Sequence, residues 1–332
     1  MPRPIQDQVV VITGASTGIG RETALAFAAK GARVVLAARN ARALETLAAE
    51  IRAGGGRALA VPTDVADMAA VQRLAHAAFE HFGRIDTWVN NAAVSFYATF
   101  EQAALAEMRH QMDVNYWGNV HGFKAAIPYM RRGGGGVLIS VASALADFAI
   151  PLQGTYCAAK HALRALTESL RIELKHEGLP ISVVLIKPPS VDTPFFEHAR
   201  TRAGVLPKPV APVYDPAVIA KRIVMAAESP RREVMIGGAA QLFAFIHRNA
   251  PRLFEWHQAK FGVQGQLTDE PKAVEGSSNF FAPLDEPGAV RGNGKAWKTS
   301  WVMWLEEHPK TTAAGAVAAA AAIAAWRRGV RP

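Results

Sequence analysis

Cysteine is almost missing from this chain. Its 332 residues hold one, Cys157, which excludes an internal disulfide and gives no sign of an oxidising compartment. Histidines and carboxylates never gather at metal-ligand spacing, so no metal site is expected. The closest histidine pair on one predicted helix, His76 and His81, reads as solvated. Runs of five like charges are absent too. The net charge of +9 is spread along the chain; it speaks for solubility and a mild attraction to anionic ligands. Nucleic-acid binding has no motif behind it. No signal-peptide pattern stands at the start, where "MPRPIQDQVVVITGAS" passes from polar residues into an apolar segment without a small-residue cleavage site. A cytoplasmic location is therefore expected. A strongly apolar run of about 20 residues is also lacking. The nearest approach, Thr312–Trp326, is mostly alanine; its bulky apolar residues are Val317, Ile323 and Trp326, with Arg327 and Arg328 following. It reads first as a soluble or disordered helix, next as a membrane-interfacial or partner-binding one, and least as a spanning anchor.

What is present is a regular alternation. Half of the residues are hydrophobic and 20% are charged, enough for a large core and against global disorder. Short β-rich runs near residues 9–13, 33–38, 58–62, 86–90, 137–140, 181–187 and 233–236 alternate with amphipathic helical runs. Continuous apolar strands between helices imply a parallel sheet covered on both faces. The crossover rule then gives an α/β, doubly wound, seven-stranded Rossmann fold over residues 1–238. Residues 239–332 form a C-terminal extension, partly irregular and ending in the alanine-rich helix. Within it Trp297, Trp301 and Trp304 recur at helical spacing and predict one helix face.

Ligands of such folds bind at the carboxyl ends of the strands. The first strand ends in Gly14-Ala-Ser16-Thr17-Gly18-Ile19-Gly20. Glycines there let the backbone turn sharply and approach a pyrophosphate, which sits on the following helix N-terminus. The second strand ends with Ala38 where NAD-binding domains usually carry an acid, and Arg39 follows. A guanidinium beside the ribose pairs with a 2′-phosphate, so NADP(H) is expected over NAD(H). Asp64 and Val65 end the third strand, and Asn90-Asn91-Ala92-Ala93 the fourth. Asp64 suits an adenine amino group, and Ala92 is small enough for a cofactor to lie close.

Together with Asn115 in "DVNYWGN", Ser143 in "ISVASALAD", "YCAAK" (156–160) and "KPPSVDTP" (187–194), these motifs resemble the short-chain dehydrogenase/reductase family. The resemblance covers about residues 5–238. It implies that Ser143 holds the substrate oxygen, that Lys160 also bonds the nicotinamide ribose, and that Asn115 positions a water linking the lysine to solvent. Thr193 matches a contact to the nicotinamide carboxamide, and Pro188 and Val191 lie in the same loop. The family commonly forms homodimers or homotetramers through the helices of Asn115 and Tyr156. Two departures stand out: Pro188-Pro189 replaces the usual Pro-Gly, and "NNAA" replaces "NNAG". The first removes a backbone donor near the nicotinamide.

Residue chemistry agrees without the family. Tyr156 and Lys160 lie one helical turn apart. A free phenol titrates near ~10, and bringing it to about 7 needs roughly 4 kcal/mol. One ammonium at about 4 Å supplies about that much at an effective dielectric near 20. Tyr156 is thus expected as general acid in reduction and base in oxidation. Ser95, Phe96, Leu145, Gln153 and Phe195 are expected to line an apolar substrate pocket, covered by a proline-broken segment at 194–215. The expectation is an NADP(H)-dependent oxidoreductase for a hydrophobic ketone or aldehyde and its alcohol. A nucleotide-binding sensor that uses the extension for partners is the alternative. A sugar epimerase or dehydratase is disfavoured, because its glycine turn is usually tighter.

Overall fold

Burial along the first strand, β1 (Val9–Thr13), sets the layers. All five residues are buried, with Val10 and Ile12 facing one apolar cluster and Val9 and Val11 the other. Alternation with a period of two places successive side chains on opposite faces of the sheet. The remaining strands of the sheet are β2 (Arg33–Ala38), β3 (Arg57–Pro62), β4 (Thr87–Asn90), β5 (Gly136–Val141), β6 (Ile181–Lys187) and β7 (Glu233–Met235). The computed structural model describes residues 2–299. In it the seven strands run parallel in the order β7-β6-β5-β4-β1-β2-β3, the expected doubly wound sheet.

Three helices cover one face: α1 (Gly18–Ala29), α2 (Ala41–Ala53) and, from the far end of the domain, Pro216–Glu228. Phe27, Leu44, Leu47, Ile219 and Ile223 supply their buried stripes. On the other face lie α3 (Met68–Phe82), Gly118–Arg132 and Gly154–His176, through Val71, Leu74, Phe123 and Leu163. Each such side chain contributes about 1.5–3 kcal/mol by leaving water. Helix starts are marked as the sequence suggests. Asn40, Asp67 and Asp215 each accept a first-turn backbone N–H, from Ala43, Ala69 and Ala217.

The helix expected over about 105–130 is divided. It comprises α4 (Leu105–Met112), a π-helical turn at Asp113–Trp117 and α5 (Gly118–Arg132). Asn115 sits in that turn, and π-bulges of this kind gather at functional sites. The next helices in order are α6 (Gly154–His176) and α7 (Pro216–Glu228).

The extension is built onto the domain. Helices α8 (Gly238–Asn249) and α9 (Pro251–His257) pack over the turn after β5, where Phe148 meets Phe254 at 5.5 Å and Phe243 at 6.2 Å between ring centres. A strand at Leu267–Pro271 then pairs antiparallel with Val205–Pro207, which fastens the segment expected to cover the pocket. From there the chain returns across the carboxyl ends of the sheet. Trp297 departs from expectation. It is not on a helix; its N–H donates to Val213 O at 2.8 Å and its carbonyl accepts from Asp215 N at 3.0 Å. An available backbone edge at 213–215 outweighed the helical spacing of the tryptophans. Trp301, Trp304 and Thr312–Trp326 lie outside the described residues.

Candidate active site

The order in which strands are added to the sheet reverses between β1 and β4, and the loops leaving the two strands diverge there into a crevice. A continuous cavity of about 560 Å³ opens along it, from Arg39 and Asp64 at one end, past Ser143 and Tyr156, to Phe243 and Phe261 of the extension.

The glycine turn is shaped by close approach. Gly14 has φ +66°, and a Cβ there would lie 2.8 Å from Ala92 Cα. A Cβ on Gly20 would lie 2.1 Å from Gly14 O and 2.5 Å from Asn91 Nδ2. Gly20 therefore closes helix on turn and does not itself line the cavity, whereas Gly14, Ser16, Thr17, Gly18 and Ile19 do. Asn91 ties the turn to β4. Its Nδ2 donates to Thr13 O at 3.0 Å and Gly14 O at 3.2 Å, and its N–H donates to Thr13 Oγ1 at 3.0 Å. Thr17 makes no side-chain cap, so its hydroxyl takes none of the first-turn N–H groups of α1. This cradle fits a pyrophosphate: a side chain at Gly14 or Gly20 would force Ala92, Asn91 and the turn itself apart, and the helix dipole favours an anion there. Asp64, Val65, Ala92, Pro188, Val191 and Thr193 line the same cavity. Thr193 comes so close to the turn that a Cβ on Gly18 would lie 3.1 Å from Thr193 Cβ. Pro188 keeps its carbonyl at work, accepting Ala144 N at 2.8 Å.

Arg39 stands at the expected rim, with a surrounding the sequence did not announce. Its Nη1 donates to Phe281 O at 3.0 Å and Phe280 O at 3.3 Å, and its Nη2 donates to Asn279 O. Three of the five N–H groups of the guanidinium are thus held by the returning chain, leaving two for a ligand. The same strap continues past Asn40, which donates to Leu284 O at 2.6 Å and Glu286 O at 2.9 Å. It reaches the glycine turn, where Gly18 N donates to Ala289 O at 2.8 Å. Burial pushes the Arg39 guanidinium down from its ordinary pKa, and Asp64 opposes that shift.

The residues expected to act as acid and base converge deeper in. Ser143 leads a short 3-10 turn, and its Oγ accepts Leu145 N at 3.1 Å. Its own O–H proton is left to donate. Lys160, 1% exposed, donates from Nζ to Val141 O at 3.0 Å, and its Nζ lies 5.3 Å from the centre of the Tyr156 ring. The expected lowering of the Tyr156 phenol does not describe this cavity. Burial pushes the phenol up, with the Cys157 thiol adding to the shift and the Ser143 hydroxyl drawing it back. Burial likewise brings Lys160 from 10.5 down to about 7. Dehydration is the first cause of both shifts, because each charge leaves water on entering this pocket.

Asn115 does not line the cavity. Fully buried, it braces the cavity wall: its Oδ1 accepts Val94 N and its Nδ2 donates to Val94 O, both at 2.9 Å. Its carbonyl accepts Asn119 Nδ2 at 2.9 Å.

Among the expected substrate contacts, Leu145, Gln153 and Phe195 line the cavity. Ser95 and Phe96 do not. Ser95 Oγ is buried without a partner, and Phe96 turns away to meet Phe280 at 5.5 Å. In the two-residue strand Phe96–Tyr97, alternation sends Tyr97 to the cavity instead. Burial raises the Tyr97 phenol, with Tyr156 and Cys157 adding to it, so it stays a neutral hydroxyl. Tyr97 was discoverable from the alternation in "SFYATF". Phe243, Phe261 and Gln266, which also line the cavity, carried no signal in the sequence, since they arrive from the extension.

Comparison with known proteins agrees with this geometry. Residues 8–204 match the family model for short chain dehydrogenases. The chain is 38% identical over 98% of its length to an uncharacterized oxidoreductase, YxnA, of Bacillus subtilis, covering 91% of that protein. It is 32% identical over 75% of its length to dehydrogenase/reductase SDR family member 7B of Bos taurus, covering 80% of it. A solved short chain dehydrogenase/reductase from Burkholderia phymatum, in complex with NAD, superimposes with a TM-score of 0.70 at 26% identity, over 76% of this chain and 96% of that one. An alcohol dehydrogenase from Thermococcus sibiricus, complexed with 5-hydroxy-NADP, gives a TM-score of 0.62 at 28% identity, over 69% of this chain and 95% of that one.

Proposed function

The chain belongs to the short-chain dehydrogenase/reductase family of oxidoreductases, and on that premise we propose that it interconverts a carbonyl compound and its alcohol with NADP(H). The observation carrying this reading is the convergence of Ser143, Tyr156 and Lys160 on the same cavity as the glycine turn. The nicotinamide cofactor supplies or accepts the hydride. Ser143, its oxygen already accepting a backbone N–H, donates its proton to the substrate oxygen and holds it. Tyr156, kept protonated by burial, gives its proton to the developing alkoxide, and Lys160 in its charged form stabilises the phenolate left behind. Arg39 beside Ala38, with no carboxylate at that position, supports a 2′-phosphate and hence NADP(H). Leu145, Phe148, Phe195, Phe243 and Phe261 give the substrate end an apolar lining.

The same family reading carries self-association through α5 and α6 in the cytoplasm. Trp117 at the end of the π-helical turn before α5, 48% exposed, and Ile172 on α6, 65% exposed, support such a contact, and light scattering tests it. No helix of the described residues is long and apolar enough to cross a membrane.

The test of function is oxidation of NADPH and NADH against a panel of apolar ketones and aldehydes, with Tyr156→Phe alongside. Turnover favouring NADPH and lost in the variant is expected. Turnover that survives in the variant overturns the assignment of the acid.

A further inference from the structure

An amide pair joins the extension to the catalytic helix inside the cavity. Gln153 immediately precedes α6, three residues before Tyr156, and is 7% exposed. Gln266 ends the 3-10 turn Gln264–Gln266 of the extension and is 1% exposed. Both line the cavity. The two side chains meet at 2.9 Å.

Their surroundings fix which end of each amide is which. One terminal atom of Gln266 sits 2.9 Å from Pro151 O and 2.7 Å from Gly262 O. Both neighbours are carbonyls, which only accept, so that atom is the NH₂ group. The other terminus of Gln266 is then its oxygen, and the Gln153 atom facing it must be a donor, Nε2. Gln153 Oε1 is left over. It has no hydrogen-bond partner among the described residues, and its side chain borders the cavity one helical turn from the Tyr156 phenol. A flip of Gln153 would set two carbonyl oxygens against each other in a dry site. A flip of Gln266 would do so twice, at about 1–3 kcal/mol for each donor or acceptor left unpaired.

We infer that Gln153 Oε1 is a recognition acceptor for a hydroxyl on the substrate, and that Gln266 is the positioning residue that aims it. The inference rests on the reductase reading above and narrows it. The substrate is a hydroxy-carbonyl compound, or the corresponding diol in oxidation, with its apolar body against Leu145, Phe195 and Phe243. A plain hydrocarbon ketone leaves a nearly buried acceptor dehydrated and unpaired, which selects against it. The extension thereby enters the substrate site through a residue that touches no substrate.

The test compares matched ketones that differ by one hydroxyl: acetophenone against 2-hydroxyacetophenone, and 4-phenylbutan-2-one against its 1-, 3- and 4-hydroxy derivatives. The quantity read is the hydroxy-to-deoxy ratio of kcat/KM within each protein, so a general loss of activity cancels. For the wild type a ratio of 10 or more is expected for at least one hydroxyl position. In Gln153→Leu the ratio falls toward 1. In Gln266→Leu, where Gln153 remains but is free to flip, it falls at least threefold, a selective change that simple loosening of the fold does not produce. Gln153→Leu, which adds no buried polar group, keeps the test valid if Gln266→Leu fails to fold. A wild-type ratio near 1 on ketones that are reduced, or a high ratio unchanged in Gln153→Leu, overturns the inference alone. A wild type that turns over no member of the panel in either direction removes the reductase reading, and the inference with it.

Discussion

Lys160 Nζ lies 5.3 Å from the centre of the Tyr156 ring and is held there by Val141 O at 3.0 Å. The bond to Val141 spans from α6 to the end of β5, so the ammonium is fixed to the sheet as well as to its own helix. Charge on Lys160 therefore acts on the phenol from a set place. Removing the phenolic oxygen should be costly, because a positioned general acid contributes about 10²–10⁴ in rate. Tyr156→Phe is expected to lower kcat within that range, with an unaltered far-ultraviolet circular dichroism spectrum. A variant that retains more than a tenth of wild-type kcat would falsify the assignment.

The pH dependence follows from the same pair. Burial brings Lys160 down to about 7, so its charge is present below that pH and lost above it. Burial pushes the Tyr156 phenol up, so the acid stays protonated across the neutral range. Carbonyl reduction should therefore be fastest below about pH 7. Its kcat/KM should fall as pH rises through that value, as the cation that stabilises the nascent phenolate is lost. Alcohol oxidation, which needs the phenolate, should rise with pH instead. Steady-state profiles from pH 5.5 to 9.5 check both limbs. A reductive profile that is flat across this range means that Lys160 keeps its charge throughout, and that the cost of burying it has been overcome.

Much of this site was legible because strand ends and helix starts are local features. The motif at 13–20, the "NNAA" turn and the Tyr156–Lys160 spacing are each set by neighbours in sequence, and the structure brings them to one cavity. Of the two misplaced residues, Phe96 failed by one step of strand alternation, which put Tyr97 in the cavity in its stead, while Ser95 lies outside the two-residue strand and is buried off the cavity. What stayed hidden depends on distant segments. Nothing in "NFFAPLDEP" says that its carbonyls will meet Arg39, some 240 residues away. Nor does the local sequence around Gln266 point to Gln153, 113 residues earlier. The phenol's raised pKa was equally unreadable, since spacing reveals the partner cation but not how much water both have lost.

On the proposed reading, cofactor choice turns on Arg39. A charge-assisted, hydrogen-bonded pair with a phosphate is worth roughly 1.5–3 kcal/mol, or about 10- to 150-fold in affinity. Arg39→Ala should weaken NADPH binding by that order and leave NADH within about threefold, by tryptophan quenching or calorimetry. Because the guanidinium also donates to Asn279, Phe280 and Phe281, the variant should make the strap at 279–289 more open to limited proteolysis. Equal losses for the two cofactors would mean that Arg39 serves the strap and not the 2′-phosphate.

Asn115 offers a sharper separation of structure from chemistry. Its amide satisfies both the N–H and the C=O of Val94, in a site with no exposed surface at Asn115. Asn115→Leu leaves Val94 N unpaired, at about 1–3 kcal/mol, and leaves Val94 O with Gln111 Nε2, at 3.2 Å, as its remaining donor. For a domain of this size each kcal/mol corresponds to roughly 2–4 °C in melting temperature, so a drop of several degrees is expected. Val94 lines the cavity next to the "NNAA" turn, so kcat should fall as well. Asn115→Asp keeps the acceptor for Val94 N but sets a carboxylate oxygen against Val94 O. It should destabilise the fold most at neutral pH and less in mild acid, where a protonated carboxyl can donate to that carbonyl. Thermal melts of both variants at pH 5 and pH 8 make the comparison. If Asn115→Leu melts with the wild type, the brace on Val94 is not what keeps this wall in place.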